Sequence, residues 1–499
     1  MIFPSDLRYK RFTLVYVVVY CLVWWGIFAF GREHLDGRDM VENFAWGQEW
    51  QWGNDKHPPL FGWITAAWFH LFPFRDGSYY LLNQVNLGLA FWLLALAMRR
   101  FMHWDKVLVA IILTSLGTHF GPDSGYKYNA NTALLPFVAG LVWTLLQALE
   151  QGRARWFVFA GVFAAGALLT KYYALVMFAA IGLAIYVTMR PPWRTMLKGT
   201  CMTGATALLL TSPHIAWSVR NGWPSLRYMH SVHPFSDWTT SATAYATMLG
   251  DCLHFSGVAL LVWGLSRLRL PSGRAGGVLR PPRLGLGIFV LGVALTIFSA
   301  LVQQISPVSP WLIPAFLFVG WVLVDLTPAE VDTVRLSHRV ALGAFVYLAA
   351  NVLIAVSLTR QYSAYPARPS YTLPQTVAQD VTQLYRQAYQ QPVEYVAGSF
   401  PLPYTMSFYS PDHPHGLHGL DVLRSTWIDP RALQAGNKLV VCGTIVFEPR
   451  EDPVCAARAR QLFDEPDRVR QLVYQVYDPT SRKIAIQRYE VLMWKPRSR

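Results

Sequence analysis

Between Phe12 and Leu358 one apolar run follows another, and that pattern admits few folds. Runs at 12–30, 79–98, 107–120, 132–148, 156–169, 172–189, 200–219, 242–265, 284–301, 311–324 and 340–358 give about eleven candidate spans, a straight crossing taking roughly 20 residues. Only 14% of the 499 residues are charged, against about 25% in an ordinary soluble domain. The pattern speaks against a single soluble core and predicts an all-α polytopic membrane domain. The first run is long and lacks a small-residue cleavage site, so no cleavable signal is expected.

A formal net charge of +14 raises the question of nucleic acid. The basic residues lie at the ends of apolar runs and form no continuous patch, which points to the membrane surface instead. Lys and Arg accumulate in cytoplasmic loops. One alternate set of loops, from Arg8 to Arg339, holds eighteen of them and the other only eight. The N-terminus is therefore expected in the cytoplasm and the first long loop, 31–78, on the periplasmic side. An odd number of spans puts the C-terminus there as well.

After Leu358 the chain turns polar. Residues 1–359 read as the membrane domain and 360–499 as a small soluble α/β domain. Within the latter, 376–391 has helical spacing at Val377, Val381, Leu384 and Ala388. The stretches 393–396, 438–446 and 483–493 are rich in β-branched residues and read as strands. Of the five cysteines, Cys21, Cys201 and Cys252 fall in apolar runs and read as small core residues. Cys442 and Cys455 are either a disulfide, if that domain is extracytoplasmic, or two buried thiols.

The loop from Gly31 to Leu60 stands out from its greasy surroundings. It holds Asp36, Asp39, Glu42, Glu49 and Asp55, several tryptophans, and then Lys56-His57-Pro58-Pro59. A helix beginning at Asp39 would set Glu42 and Trp46 on one face. A carboxylate held near the bilayer can take a proton from a hydroxyl or amine, although a solvated acidic loop is the commoner fate. The segment from His57 to Phe74 reads as an interfacial helix with Lys56 and His57 at its head. There they could stabilise the charge on a leaving phosphate, or merely snorkel at the headgroups.

Asp39, Glu42, Trp46, Gln48, Gly53 and His57-Pro58-Pro59, in that order, resemble the first-loop signature of the C superfamily of membrane glycosyltransferases (GT-C). Within it the likeness is to the bacterial protein-mannosyltransferase-like family that includes the lipid A aminoarabinose transferases. Asp39 falls where that family has the first residue of an Asp-Glu pair, and Met40 stands where the Glu is usual. Aminoarabinose transferases have Lys before the double proline, where this chain has His57. Further on, Tyr128-Asn129-Ala130-Asn131-Thr132, Leu169-Thr170-Lys171-Tyr172-Tyr173 and Pro213-His214-Ile215-Ala216-Trp217 are similar to family motifs in the same order. So are Tyr409-Ser410-Pro411-Asp412 and Ser425-Thr426-Trp427 in the C-terminal part.

The resemblance implies a GT-C membrane domain with a cavity under the first loop. It implies a polyprenyl-phosphate-linked sugar as donor, inverting transfer, and Asp39 as general base; with Met40 at the usual Glu position, either Glu42 substitutes as the second carboxylate or that carboxylate is dispensable. The expected acceptor is an envelope lipid A or glycolipid, a polysaccharide or a protein, and the expected location the bacterial inner membrane. The absence of a P-loop or Rossmann glycine pattern fits a donor that is not a nucleotide sugar.

Cations on the expected outer face supply candidates for the donor phosphate: Lys56, His57, Lys171, Arg220 and Arg227. Arg suits bidentate phosphate binding, and a Lys in lipid would cost about 2.5–3.5 kcal/mol, so Lys171 faces protein or water. Trp46, Tyr128, Asn129, Tyr172 and His230 are candidates for the walls of a substrate cavity. Asp251 and His254 share a helical face and read as a buried polar pair. His230 and His233 have metal-ligand spacing, but no strong ligand set such as HExxH occurs. The expectation is no obligatory cofactor, with a divalent metal left open, no nucleic-acid partner, and a monomer.

The competing reading is a membrane transporter or lipid flippase, which span count and charge also fit. No inverted repeat or matched pair of Gly/Pro-interrupted spans supports it. Solute flux in proteoliposomes without a glycoconjugate product would favour it.

Overall fold

The computed structural model describes residues 4–31, 35, 38–232, 237–268, 283–328, 331–363, 368–369, 373–443, 454–478 and 483–495. The helices up to residue 363 are α1 (Pro4–Gly31), α2 (Asp39–Gln48), α3 (Leu60–Leu71), α4 (Asp76–Met98), α5 (Trp104–Ser115), α6 (Ala130–Ala133), α7 (Leu135–Gln151) and α8 (Ala154–Thr170). They continue with α9 (Ala174–Met189), α10 (Trp193–Arg220), α11 (Pro224–Val232), α12 (Trp238–Arg267), α13 (Leu284–Val302), α14 (Ile313–Phe316), α15 (Val319–Asp325) and α16 (Thr333–Ser363).

Among the described residues, six helical stretches are long and apolar enough to cross a membrane: Asp6–Gly31, Asp76–Met98, Ala130–Gln151, Ser241–Arg267, Leu284–Val302 and Thr333–Arg360. The other five runs read as spans fold differently. α5, α8 and α9 are shorter, with 12, 17 and 16 residues. α10 has 28 residues but is punctuated by threonines and charges. The run 311–324 breaks into α14 and α15, each a fraction of a crossing. Pro314 lies in the first turn of α14, where a proline is tolerated, and the chain turns at Leu317 and Phe318 before α15 begins.

The chain forms two compact units: 1–27 with 56–58 and 80–353, and 28–55 with 59–79 and 354–499. In the first, one core joins α5, α12, α15 and α16 through Leu108, Ile112, Ala259, Leu323, Leu336 and Val340. At one end of that bundle the buried Asp6 carboxylate accepts from Arg99 (2.7 Å) and from the amide of Trp104 (3.0 Å), the first residue of α5. Asp251 and His254 do not pair with each other, contrary to the expectation. Asp251 accepts from Ser309, and His254, its side chain 59% exposed, bonds Asp123 at 3.0 Å. Three residues on a helix put two side chains on one face but also a turn apart, and each found a nearer partner. Cys201 is exposed rather than in the core.

In the second unit, a mixed six-stranded sheet carries the C-terminal domain. Its strands are β1 (Arg368–Pro369), β2 (Tyr395–Gly398), β3 (His415–Gly416), β4 (Lys438–Gly443), β5 (Arg468–Asp478) and β6 (Lys483–Trp494), in the order β1-β5-β6-β4-β2-β3. β2, β3 and β4 run parallel, with Tyr395 opposite Lys438 and Gly398 opposite Val441. β5 and β6 form a long antiparallel hairpin. Helices α17 (Leu373–Tyr389) and α18 (Leu402–Tyr409) cover one face of the sheet, and α19 (Pro430–Ala435) and α20 (Cys455–Phe463) the other. A disulfide joins Cys442 at the end of β4 to Cys455 at the start of α20. This settles the alternative in favour of the bridge.

Candidate functional site

The first loop folds against the C-terminal domain. α2 begins at Asp39, and its ten residues are buried from Met40 to Gly47. The Tyr79 hydroxyl donates to the Met40 carbonyl (2.8 Å), fixing the first turn. Phe44 stands edge-on to Phe69, Phe74 and Phe408, at 5.8, 5.6 and 5.3 Å between centroids. Trp46 meets Phe61 and Tyr404 in the same way. Gly47 of α2 and Gly62 of α3 bring two backbones together so closely that a Cβ on Gly47 would overlap the Gly62 carbonyl.

This packing sorts the acids of the loop. Glu49 bonds His415 of β3 (2.6 Å), whose imidazole pKa is raised chiefly by that hydrogen bond. Asp55 accepts from Arg424 through both Nε (2.9 Å) and Nη2 (2.5 Å). Gln48 reaches the Pro414 carbonyl (3.3 Å), and the Arg38 guanidinium lies 5.6 Å from the Phe400 ring. Glu49 and Asp55 thus hold the loop to the domain. Asp39 and Glu42 belong to the first turn of α2, where the helix dipole favours negative charge. Glu42 is 2% exposed and Asp39 partly exposed. Burial, then the carboxylates of Asp55 and Glu42, pushes the Tyr404 hydroxyl well above its usual pKa, so it stays a neutral phenol beside α2. Asp36 lies outside the described residues.

The candidate phosphate-binding residues belong to the helical unit. Lys56, partly exposed, sets its ammonium 5.7 Å from the ring of Tyr228 in α11. His57 is partly exposed as well. Lys171 terminates α8 with extended backbone and donates to the side chain of Asn131. That asparagine lies in α6, whose start is fixed by Asn129: its side chain accepts from the amides of Asn131 (3.0 Å) and Thr132 (3.2 Å). Tyr128, just before this cap, is fully buried. Tyr172 shares a hydrogen bond with His214 Nε2 (2.7 Å) and a longer one with Ser218 (3.4 Å). Arg220 ends α10 exposed, and Arg227 turns back to the Asn221 carbonyl (3.1 Å). His230 lies in α11, but its side chain, like all of His233, is outside the described residues.

Sequence reasoning named His214 only as part of a motif and passed over Ser218. Their four-residue spacing on α10, with both side chains buried, is the signal that marks them as one face with Tyr172. Arg424 and His415 carried no local signal. Among the described residues no group of three or more His, Cys, Asp or Glu side chains could hold a metal ion.

Residues 56–217 match the family described as dolichyl-phosphate-mannose-protein mannosyltransferase. No curated protein sequence matches the chain. Among solved structures, the chain is similar to ArnT from Cupriavidus metallidurans bound to undecaprenyl phosphate, with 15% identity and a TM-score of 0.61. That alignment covers 95% of this chain and 97% of the other. The archaeal oligosaccharyltransferase AglB from Archaeoglobus fulgidus, in complex with an inhibitory peptide and a dolichol-phosphate, aligns at 10% identity and a TM-score of 0.42, covering 96% of this chain and 74% of the other. The chain is a multi-pass membrane protein, it has an ArnT-like fold, and over residues 56–217 it is similar to the mannosyltransferase family.

Proposed function

We propose that the chain is an integral membrane glycosyltransferase that moves a sugar from a polyprenyl-phosphate donor to an envelope acceptor on the periplasmic face of the bacterial inner membrane. The acceptor class is lipid A or another glycolipid, a polysaccharide or a protein. The observation that carries the reading is the placement of the first-loop carboxylates: Asp39 heads α2, partly exposed, with the buried Glu42 one turn behind. The match over residues 56–217 supports the reaction class, and the lipid carried by ArnT supports the donor class. The charge asymmetry of the loops and the Cys442–Cys455 bridge support the periplasmic placement of the C-terminal domain.

In this mechanism the carboxylate of Asp39 takes the proton from the acceptor hydroxyl or amine as that atom bonds to the sugar's anomeric carbon. The bond from that carbon to the phosphate oxygen breaks on the opposite face, so configuration inverts and polyprenyl phosphate leaves. Lys56, His57 and Lys171, with Arg220 and Arg227 on the same side, offset the charge that accumulates on the departing phosphate. Glu42, one turn further along α2, is the second carboxylate of this scheme. Neither step requires a metal.

The test is transfer in proteoliposomes supplied with a polyprenyl-phosphate sugar and a lipid A or glycan acceptor. Asp39→Asn is expected to lower turnover by about 10²–10⁴-fold with donor binding retained, the range for loss of a general base. Wild-type turnover in Asp39→Asn removes Asp39 from this role.

A further inference from the structure

Just past the end of α2, Trp50 has its backbone in the left-handed region, at φ +49°, a conformation that bulky residues rarely adopt. Its amide donates to the Gly47 carbonyl (3.1 Å) and closes the turn. The turn lays the indole flat across α3. The ring stacks on Trp63 and on His70, 6.4 Å between centroids in each case, at 25° and 14° from parallel. Trp63 and His70 are seven residues apart and share one stripe of the helix. Trp63 is pinned in turn, its indole N–H donating to the Gln51 carbonyl (3.0 Å), and Trp52 stands edge-on to it at 4.9 Å. Trp50 is 50% exposed and Trp52 41%, so an aromatic platform with a second ring set edgewise is presented to the surroundings.

The bilayer is served by a different stripe of α3. Ile64, Trp68 and Leu71 lie about 80–140° round the helix from Trp63, at 100° per residue, and Leu71 at its end is highly exposed. Hydrogen-bonding groups, not aliphatic ones, border the platform. Glu49 and Gln51 flank Trp50 in the chain, and Glu49 holds the half-exposed imidazole of His415. A sugar ring complements such a surface. The C–H groups on one of its faces carry slight positive charge and meet the negative face of an indole, while its hydroxyls point outward to polar neighbours. Asp39 and Trp50 stand at opposite ends of α2, whose 10 residues at 1.5 Å each make about 15 Å. That span is longer than one sugar and within reach of a short chain of them.

We propose that the Trp50 platform binds the carbohydrate chain of the acceptor, one of its sugars stacked on the indole while a sugar further along presents its hydroxyl or amine to Asp39. The inference rests on the reaction proposed above and narrows its acceptor to a glycan, or a glycolipid with an extended sugar chain. A protein side chain or a single sugar would reach only the Asp39 end.

The experiment uses the full-length protein in nanodiscs. Maltoheptaose, chitohexaose and fully deacylated lipopolysaccharide are titrated by calorimetry into wild type, Trp50→Ala and Trp50→Phe, with melting temperature recorded for each. At least one of these oligosaccharides is expected to bind wild type, and to bind Trp50→Ala about tenfold more weakly, the order for one lost aromatic contact. Trp50→Phe, which keeps a ring, should fall between the two. In the transfer assay Trp50→Ala should raise the acceptor KM by a similar factor and leave the donor KM unchanged. Binding of none of the three by wild type, or equal affinity in Trp50→Ala, overturns the proposal. So does quenching of Trp50 fluorescence, isolated as the difference between wild type and Trp50→Phe, by lipids brominated near the headgroup, which would put the ring in the bilayer. Failure of the parent reading looks different: wild type then binds an oligosaccharide through Trp50 and transfers no sugar to any acceptor.

Discussion

Arg424 clasps Asp55 with two hydrogen bonds to a single carboxylate oxygen, at 2.9 and 2.5 Å, across 369 residues of sequence. The Asp55 side chain is 7% exposed and that of Arg424 41% exposed. Removing the guanidinium strands a buried carboxylate, whereas the exposed side of the pair is already screened by water. Arg424→Ala is therefore expected to destabilise this unit by about 2 kcal/mol, in the range for a hydrogen bond to a charged group. Denaturant unfolding followed by the tryptophans near the loop measures it. In the Asp55→Asn background the same change should cost much less, and equal costs in the two backgrounds would show that the pair contributes nothing.

His415 and Glu49 make the second link between the loop and the domain, and this one depends on pH. The folded-state pKa of His415 is raised, first by its hydrogen bond to Glu49, while burial works in the other direction. A group whose folded pKa is raised adds stability that is fully present below its unfolded value of about 6.5. That contribution is lost as pH rises through the folded value. The loop should therefore be held more firmly under mild acid than at alkaline pH. Hydrogen exchange of the amides in 45–50, measured across this range, should report loosening as pH rises, and Glu49→Gln should flatten the dependence. A His415 resonance that titrates identically in wild type and Glu49→Gln would remove the basis for it.

α2 holds its position only because Gly47 and Gly62 have no side chains where they cross. A methyl group on Gly47 would overlap the Gly62 carbonyl, and backbone cannot move aside as a flexible side chain can. Gly47→Ala is expected to push α2 from α3, costing about 1–3 kcal/mol, as overpacking does. Turnover should fall with stability, because Asp39 rides on the same helix. Gly62→Ala is the milder comparison, its nearest neighbours lying at 3.3 Å. If both variants retain full turnover and melting temperature, the close crossing does not position Asp39.

The sequence announced the helix at Asp39, because an acid heading a run with Glu42 and Trp46 at helical spacing is a local signal. It announced six of the eleven expected membrane spans through length and apolarity, which are local too. It also carried a signal for β5 that the strand reading overlooked: Leu472, Tyr474 and Val476 alternate with Val473 and Gln475, and the first set faces the core. Charged residues at 468 and 470 masked it. The partners of Glu49 and Asp55 were not legible at all. Each lies more than 360 residues from its acid, and no pattern within one chain says which distant cation will arrive. The same limit misplaced Asp251 and His254, since helical spacing brings them near each other but cannot reveal that Ser309 and Asp123 come nearer.

Lys171 tests the phosphate side independently of the carboxylates. It sits at the end of α8 on an extended backbone, held toward Asn131, which is itself positioned by the Asn129 cap. A lysine that only terminated a helix would need no such support. Charge-assisted hydrogen bonds contribute about 1.5–3 kcal/mol, so Lys171→Gln should raise the donor KM by roughly 10- to 150-fold. The acceptor KM should stay where it is, and Lys171→Arg should recover part of the loss, because phosphate also accepts a guanidinium. Asn131→Ala removes the support but not the charge, and its effect on donor KM should be smaller and in the same direction. The measurement is a pair of saturation curves, donor varied and then acceptor varied, with melting temperature recorded for each variant. A Lys171→Gln enzyme with wild-type donor KM and a lowered melting temperature would make this lysine a turn residue, and the phosphate contacts would then fall to Lys56, His57, Arg220 and Arg227.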